Sequence, residues 1–458
     1  MGKLFGTDGV RGVVNLELDP LLAYRLAQSI CEVFGKGSYI LVGRDVRSGG
    51  EMLVKSVIAG LLSCGCKACY AGLAPTPAIQ YAVRNHDEFD GGIIVTASHN
   101  PPMYNGIKVV AEDGVEIPRE MEEEIEEVYF QGRVKTVDWR SLCEDVKRLD
   151  SVIDEYIAGV IDLVDQYRIR QKKMTVIVDA ANSVGALTVP RVVRELGGKP
   201  VSLNSHLDPL FPGREPEPTP ETLRLASKVV VEAEASFGVG LDGDADRSIF
   251  IDDKGKVYWG DRTAVVLVPF LKEKHPELPP RIHTGVSSSF FIEDILSRNG
   301  VEVRWLKVGS VGIARAMIKE RSLLGFEENG GIMYPPHQPV RDATMATALM
   351  MEMLAYTGQK LSELYRVYPE TYTIKTKYPM SRGEALKVVE AVKERFKGHR
   401  MVTIDGVKVL LEDGSGWFLV RPSGTEPVLR VMIECLDENR AVNLKEIIEN
   451  IIKEVKKP

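Results

Sequence analysis

Residues 96–108, TASHNPPMYNGIK, decide how the rest of this 458-residue chain is read. The run Gly92-Ile93-Ile94-Val95 has strand character and stops just before Ser98, His99 and Asn100. Pro101 and Pro102 forbid helix and offer no backbone N–H. Asn105-Gly106 then reads as a turn returning the chain into a second strand, Ile107-Lys108-Val109-Val110. The pattern predicts a serine on a stiff, exposed loop with a lysine returning close by. A plain polar turn has the same composition, so the meaning of the loop rests on its companions.

The totals narrow the field. The length exceeds what one core serves. With 44% hydrophobic and 27% charged residues the composition is that of a globular protein. No apolar run approaches ~18 residues, so no membrane span is expected. The N-terminal MGKLFGTDGVRG lacks the apolar core of a signal peptide, and a cytoplasmic location is expected. A net charge of -7 with scattered basic residues argues against a nucleic-acid surface. A small anionic substrate needs only a local positive pocket. Three of the six cysteines cluster as Cys64, Cys66 and Cys69, but no fourth metal ligand lies nearby. They are expected to be buried free thiols.

Helix and strand patterns alternate through most of the chain. Asp19-Pro20 should cap and open a helix ending at Phe34, with further strands at residues 39–43 and 66–70 and helices at 51–63 and 77–83. The nearly all-apolar run at 174–179, an Ala-rich helix and the strand at 200–203 make a βαβ unit with a buried parallel sheet. From about Glu370 the pattern changes to antiparallel strands with two helices, and Asp405-Gly406 reads as a hairpin turn. The expected fold is α/β: three related α/β/α domains with mixed sheets and a smaller C-terminal α+β domain. The domains are placed at 1–150, 151–255, 256–368 and 369–458.

Four loops besides the first carry chemistry. Asp242-Gly243-Asp244-Ala245-Asp246-Arg247 follows the apolar strand at 237–241, and carboxylates at alternate positions can converge on one side. Packed so closely they repel unless a cation neutralises them, and oxygen ligands suit a hard ion such as Mg²⁺. A calcium EF-hand also begins D-x-D-x-D, but its required glycine is Arg247 here and no helix leads in. Arg421-Pro422-Ser423-Gly424-Thr425-Glu426-Pro427 offers hydroxyls, backbone donors and a planar guanidinium, a plausible phosphate cradle. Gly6-Thr7-Asp8-Gly9-Val10-Arg11-Gly12 pairs glycines with an arginine. Phe326-Glu327-Glu328-Asn329-Gly330-Gly331 ends a strand with groups suited to sugar hydroxyls.

Together these motifs resemble the α-D-phosphohexomutase family over essentially the whole chain, one signature loop per domain in the family's order. The resemblance implies four domains around a central active-site cleft. It implies that Ser98 carries a phosphoryl group, with one Mg²⁺ per active site held by Ser98, Asp242, Asp244 and Asp246. The phosphoryl would pass to a hexose phosphate, giving a 1,6-bisphosphate that also serves as activator, so that phosphate moves between C1 and C6 of mannose or glucose phosphates. Lys108, Arg11 and His99 would act beside Ser98, with Lys108 as acid/base if neighbouring cations lower its pKa. Arg247, Lys307, Glu327 and Asn329 would contact substrate, while Arg421, Ser423, Gly424 and Thr425 would grip the phosphate that stays. Hexose phosphates are the expected partners, without nucleic acid or membrane, and a homodimer stays open.

One departure stands out. Many family members have GExSxH in the sugar loop, and here Asn329 replaces the Ser and Gly331 the His. His337 is a weak substitute for the missing imidazole. The FEENGG loop looks like archaeal phosphomannomutase/phosphoglucomutase sequences. The N-terminal FGTDGVRG is shared with phosphoglucosamine mutase, the nearest alternative. A metal-dependent serine phosphatase would need more clustered His and Asp ligands, and a non-catalytic sugar-phosphate sensor would not need Ser98.

Overall fold

The first helix begins where turn chemistry requires. Asp19 accepts a hydrogen bond from the Leu22 amide at 2.7 Å, Pro20 occupies the first turn, and the helix runs Pro20–Phe34. It opens the larger of two compact units in the computed structural model, which describes residues 4–6, 8–424 and 427–456. That unit comprises Met1–Thr263 and Asn329–Glu363; the second comprises Ala264–Glu328 and Leu364–Pro458.

In the first unit six strands form one sheet, in the order Val10–Val13, Tyr104–Ala111, Gly91–Val95, Tyr39–Arg44, Lys67–Leu73 and Lys147–Arg148. Tyr39–Arg44 is parallel to both Lys67–Leu73 and Gly91–Val95, whereas Tyr104–Ala111 is antiparallel to its two neighbours. Gly91–Val95 is buried along its whole length, as a strand covered on both faces must be. Leu26 and Ile30 of the first helix, Val57 and Leu61 of Gly50–Ser63, and Val42, Ile93 and Ile107 of the sheet share one core. A second mixed sheet orders Val257–Tyr258, Ser248–Ile251, Phe237–Leu241, Thr175–Asp179 and Lys199–Leu203. The returning segment adds the hairpin of Ile332–Tyr334 with Gln338–Arg341 and the helix Ala343–Thr357, whose residues are almost all buried.

The second unit pairs Arg281–Gly285 in parallel with Glu302–Leu306 and Leu324–Phe326, with helices Phe291–Arg298 and Ser310–Glu320 between them. It ends in a five-stranded antiparallel sheet, Tyr372–Pro379, Val428–Cys435, Gly416–Pro422, Val407–Leu410 and Arg400–Val402. Helices Arg382–Arg395 and Glu438–Lys456 cover that sheet. Asp405-Gly406 does lie between two antiparallel strands. The α/β architecture with a smaller α+β C-terminal domain is the one the sequence suggested. Among the described residues no helix is long and apolar enough to cross a membrane.

Three local expectations need correction, and one element was not expected at all. Asn105-Gly106 is not a turn: it lies inside Tyr104–Ala111, with Gly106 opposite Arg11. Glycine is needed there because a Cβ would stand 2.5 Å from the Thr96 carbonyl oxygen and 2.8 Å from that of Val10. Ser98 is not exposed but fully buried. Cys66 is not a free thiol; it forms a disulfide with Cys31, while Cys64 and Cys69 are free and buried as expected. The hairpin after Gly331 was unforeseen, since Pro335 and Pro336 between its strands mask the pattern.

Candidate active site

The loop after Gly91–Val95 is held from beneath by Arg47, which sequence reasoning passed over. Arg47 Nη2 donates to the carbonyls of Ser98 and Asn100, both at 2.6 Å, and Nη1 to those of Pro101 at 2.9 Å and Tyr104 at 3.1 Å. Asp45 fixes Arg47 by an ion pair at 3.2 Å and accepts from Thr96 Oγ1 at 2.7 Å; Thr96 Oγ1 in turn accepts from the Ser98 amide at 2.9 Å. Burial raises the Asp45 pKa to about 6, against the opposing pull of Arg47 and Thr96. So clamped, Ser98 holds a left-handed φ of 50°, a conformation costing a non-glycine residue ~1–3 kcal/mol.

The serine faces the acidic loop. Its Oγ donates to Asp242 Oδ2 at 2.7 Å and lies 3.3 Å from His99 Nδ1. The two loops touch because residue 243 is glycine: a Cβ there would stand 2.3 Å from the Ser98 carbonyl oxygen. Asp242, Asp244 and Asp246 are all buried and offer oxygens within 4.8 Å of one another. Asp244 Oδ2 is occupied by Thr76 Oγ1 at 2.7 Å and Lys108 Nζ at 3.1 Å. Asp246 Oδ2 is occupied by Lys108 Nζ at 3.3 Å and Arg341 Nη2 at 2.7 Å. Among the described residues the buried Oδ1 atoms of both carboxylates accept no hydrogen bond, and Arg247 Nε lies 3.7 Å from Asp246 Oδ1.

Electrostatics divides these groups. Burial, with Asp246 and Asp244 nearby, raises the Asp242 pKa well above the usual carboxylate range. Burial would also raise Asp244, but Lys108 and the Thr76 hydrogen bond outweigh it and lower its pKa. Burial, then Arg247 and Arg11, hold His99 well below the ordinary histidine value, so its ring is neutral at pH 7. For Lys108 the expected condition is reversed. Burial acts to lower its pKa, but Asp244, Asp8 and Asp246 surround the ammonium and raise it, so no neighbouring cation frees it as a base. A buried cluster with two unpartnered carboxylate oxygens and a mutually repelling acid fits a hard divalent cation.

The other assigned residues fall into two groups. In the first unit Arg11 donates to Asp8 Oδ2 at 2.7 Å, Asn100 Oδ1 at 2.6 Å and the Ala97 carbonyl at 3.1 Å, bracing the serine loop. The Arg247 amide donates to Asp242 Oδ1 at 3.1 Å. Asn329 Oδ1 accepts from the Gly331 amide at 3.2 Å, and the next carbonyl, Gly330, accepts from Ser248 at 2.9 Å. In the second unit Asp405 Oδ2 joins Arg421 Nε at 3.0 Å to the Val308 amide at 3.3 Å, drawing the Lys307 loop to Arg421. The Ser423 amide donates to the Val428 carbonyl at 2.9 Å, closing the loop that carries Gly424, and Glu327 is buried. Thr7 and Thr425 lie outside the described residues. His337 is not placed as a substitute imidazole: it is buried, stacks on Tyr81 with ring centres 4.9 Å apart, and pairs with Asp342 at 3.4 Å.

Sequence reasoning missed Arg47, Asp45, Asp8, Thr76 and Arg341. Charged residues directly after a buried strand, as in Gly43-Arg44-Asp45-Val46-Arg47, were the available signal for the first two.

A serine hydroxyl facing buried carboxylates, with Lys108 and Arg341 beside them, is an arrangement suited to phosphoryl transfer. Comparison with known proteins is specific. All four domain families of Phosphoglucomutase/phosphomannomutase match in order: alpha/beta/alpha domain I at residues 2–135, domain II at 154–255, domain III at 259–372 and the C-terminal domain at 376–451. The chain is 50% identical to a phosphoglucosamine/phosphogalactosamine mutase of Sulfurisphaera tokodaii, over 99% of both chains. It is 40% identical to a phosphoglucomutase/phosphomannomutase of Thermococcus kodakarensis over 100% of both. The crystal structure of a phosphoglucomutase/phosphomannomutase family protein from Burkholderia thailandensis shares the fold, with a TM-score of 0.87 at 23% identity, covering 99% of this chain and 98% of that one. The chain belongs to the phosphoglucomutase/phosphomannomutase family of α-D-phosphohexomutases, which are intramolecular phosphotransferases.

Proposed function

We propose that this phosphohexomutase acts on hexosamine phosphates, moving the phosphoryl group between C6 and C1 of glucosamine phosphate, with galactosamine phosphate as a second substrate. The observation that carries the choice of sugar is the 50% identity, end to end, with the Sulfurisphaera tokodaii protein of that name. Mannose and glucose phosphates are the second reading, favoured by the 40% identical Thermococcus kodakarensis relative.

In this proposal Ser98 Oγ carries the phosphoryl group and a hexosamine 1,6-bisphosphate is the intermediate and activator. Asp242 and neutral His99 share the serine proton, being the two groups nearest Oγ. Asp242, Asp244 and Asp246, with an oxygen on Ser98, would hold one Mg²⁺, supplying charge neutralisation for the transferring group. Lys108 acts as a fixed positive charge, since three carboxylates hold its proton. Arg11 and Arg247 complete the positive lining. Lys307, Glu327 and Asn329 bind the sugar; Arg421, Ser423, Gly424 and Thr425 bind the distal phosphate. Cytoplasmic location and homodimeric assembly belong to the same proposal.

The test is turnover of the 1-phosphates of glucosamine, galactosamine, mannose and glucose, with Mg²⁺ and a trace of 1,6-bisphosphate, in the parent chain and in Ser98→Ala. The highest kcat/KM is expected on glucosamine 1-phosphate, with a loss of at least ~10³-fold in Ser98→Ala. Preference for mannose or glucose would establish the second reading instead.

A further inference from the structure

Arg341 reaches the acidic loop from a distant part of the sequence. Its Nη2 stands 2.7 Å from Asp246 Oδ2 and 3.1 Å from Asp8 Oδ2, and the residue is 5% exposed. The path of its side chain is unusual. A Cβ built on Gly331 would stand 2.5 Å from Arg341 Cδ and 2.8 Å from Cγ. The aliphatic stem of Arg341 therefore fills the space that a side chain at position 331 would need, and 331 is where this chain departs from the family's sugar-loop pattern. The backbone holds the two in place. Arg341 is cross-strand from Met333, and the Asp342 amide donates to the Ile332 carbonyl at 2.9 Å. Asp342 also caps the buried helix through Met345 at 2.8 Å, and Gln338 Nε2 donates to it at 2.9 Å.

We propose that Arg341 is a positioning residue of the metal site, and that glycine at 331 is what admits it. Arg341 ties down one oxygen of Asp246, as Lys108 and Thr76 tie down one oxygen of Asp244. What remains is the pair of Oδ1 atoms that, among the described residues, accept no hydrogen bond, on carboxylates whose oxygens lie close enough for one cation to be held between them. Groups that orient a ligand in this way set metal affinity by about 10- to 100-fold. The inference rests on reading the triad as a metal site, and deepens it by coupling the sugar loop to the metal loop through one side chain.

Manganese is the probe, its binding followed by electron paramagnetic resonance in protein free of substrate, with folding checked by the thermal midpoint in chelator. Arg341→Ala is expected to weaken manganese binding about 10-fold or more, and Arg341→Lys less, since it keeps the charge without the fork. Gly331→Ala should weaken binding as well although it removes no charge, because it displaces the arginine. The double variant should bind no worse than the weaker single one. Unchanged affinity in folded Arg341→Ala, or losses that simply add in the double variant, would overturn the inference. Gly331→Ala decides the matter alone if Arg341→Ala does not fold: unchanged affinity there overturns it equally. If the unsubstituted chain binds no manganese, the metal reading fails and this inference with it; parent binding without any effect of the variants sinks the inference alone.

Discussion

Two regions of the molecule bury carboxylates, and they do so in opposite ways. In the second unit Glu434 is 2% exposed, yet both of its oxygens are satisfied by neutral donors. Oε1 accepts from Tyr368 OH at 2.9 Å and Thr371 Oγ1 at 2.7 Å; Oε2 accepts from Trp417 Nε1 at 2.6 Å and from Ser289 Oγ. In the first unit Asp242, Asp244 and Asp246 are equally buried, yet cations hold one side of the cluster and, among the described residues, two oxygens have no hydrogen-bond donor. Burial of charge therefore does not mark a site by itself. Unused acceptor capacity does, because leaving it unused costs free energy that a ligand recovers.

Exchanging charge for amide in each region sharpens the contrast most. Asp242→Asn removes an acid whose ionised form burial and two neighbouring aspartates disfavour, so the thermal midpoint without metal should hold or rise while turnover falls at least ~10³-fold. Glu434→Gln turns an NH₂ group toward donors that need an acceptor. It should cost about 2–3 kcal/mol of stability while the folded fraction keeps its turnover within a few-fold. If the two variants behave alike, the distinction between the clusters is broken. Next in size is Arg47→Lys. A single ammonium cannot serve four carbonyls in a fork, so turnover should fall about 10- to 100-fold as Ser98 loosens. Hydrogen exchange at the Ser98 loop would register the loosening directly.

The smallest effect concerns Asp45, a third kind of buried acid. Its folded pKa of about 6 lies above the unfolded value near 4, so the folded chain holds an extra proton between those limits. Stability from this group is thus greatest at the acidic end and declines as pH rises through 6, by at most about 3 kcal/mol. Denaturant midpoints at pH 4.5 and pH 7 in the parent and in Asp45→Asn should differ in that slope alone. A parent slope of opposite sign that the substitution abolishes would show the Arg47 pair outweighing burial.

What could be read in advance follows the range of the interactions. Asp19-Pro20 acts within one turn of helix, and the residues of DGDADR lie within six positions, so both were legible as written. The lowered pKa expected of Lys108 is reversed, because the charges around it come from residues 8, 244 and 246. Arg47 acts on partners 51 to 57 residues away and Arg341 on Asp8, 333 residues away, and no local pattern announces such contacts. Asn105-Gly106 misled for a related reason. The same glycine that permits a turn also permits two backbones to meet, and only the pairing partner distinguishes them. The Cys31–Cys66 disulfide joins a helix to the approach of a strand whose register had to be known first.

The division of the chain has a consequence for its biosynthesis. The first unit is interrupted by Ala264–Glu328 and completed only by Asn329–Glu363, the segment that brings Arg341 to Asp246 and Asp8. A nascent chain halted before that segment would hold four acidic side chains without their last counter-charge and a core without its most buried helix. The ribosome must therefore deliver some four-fifths of the polypeptide before this centre can close, so premature termination yields no partly working fragment but a client for chaperones.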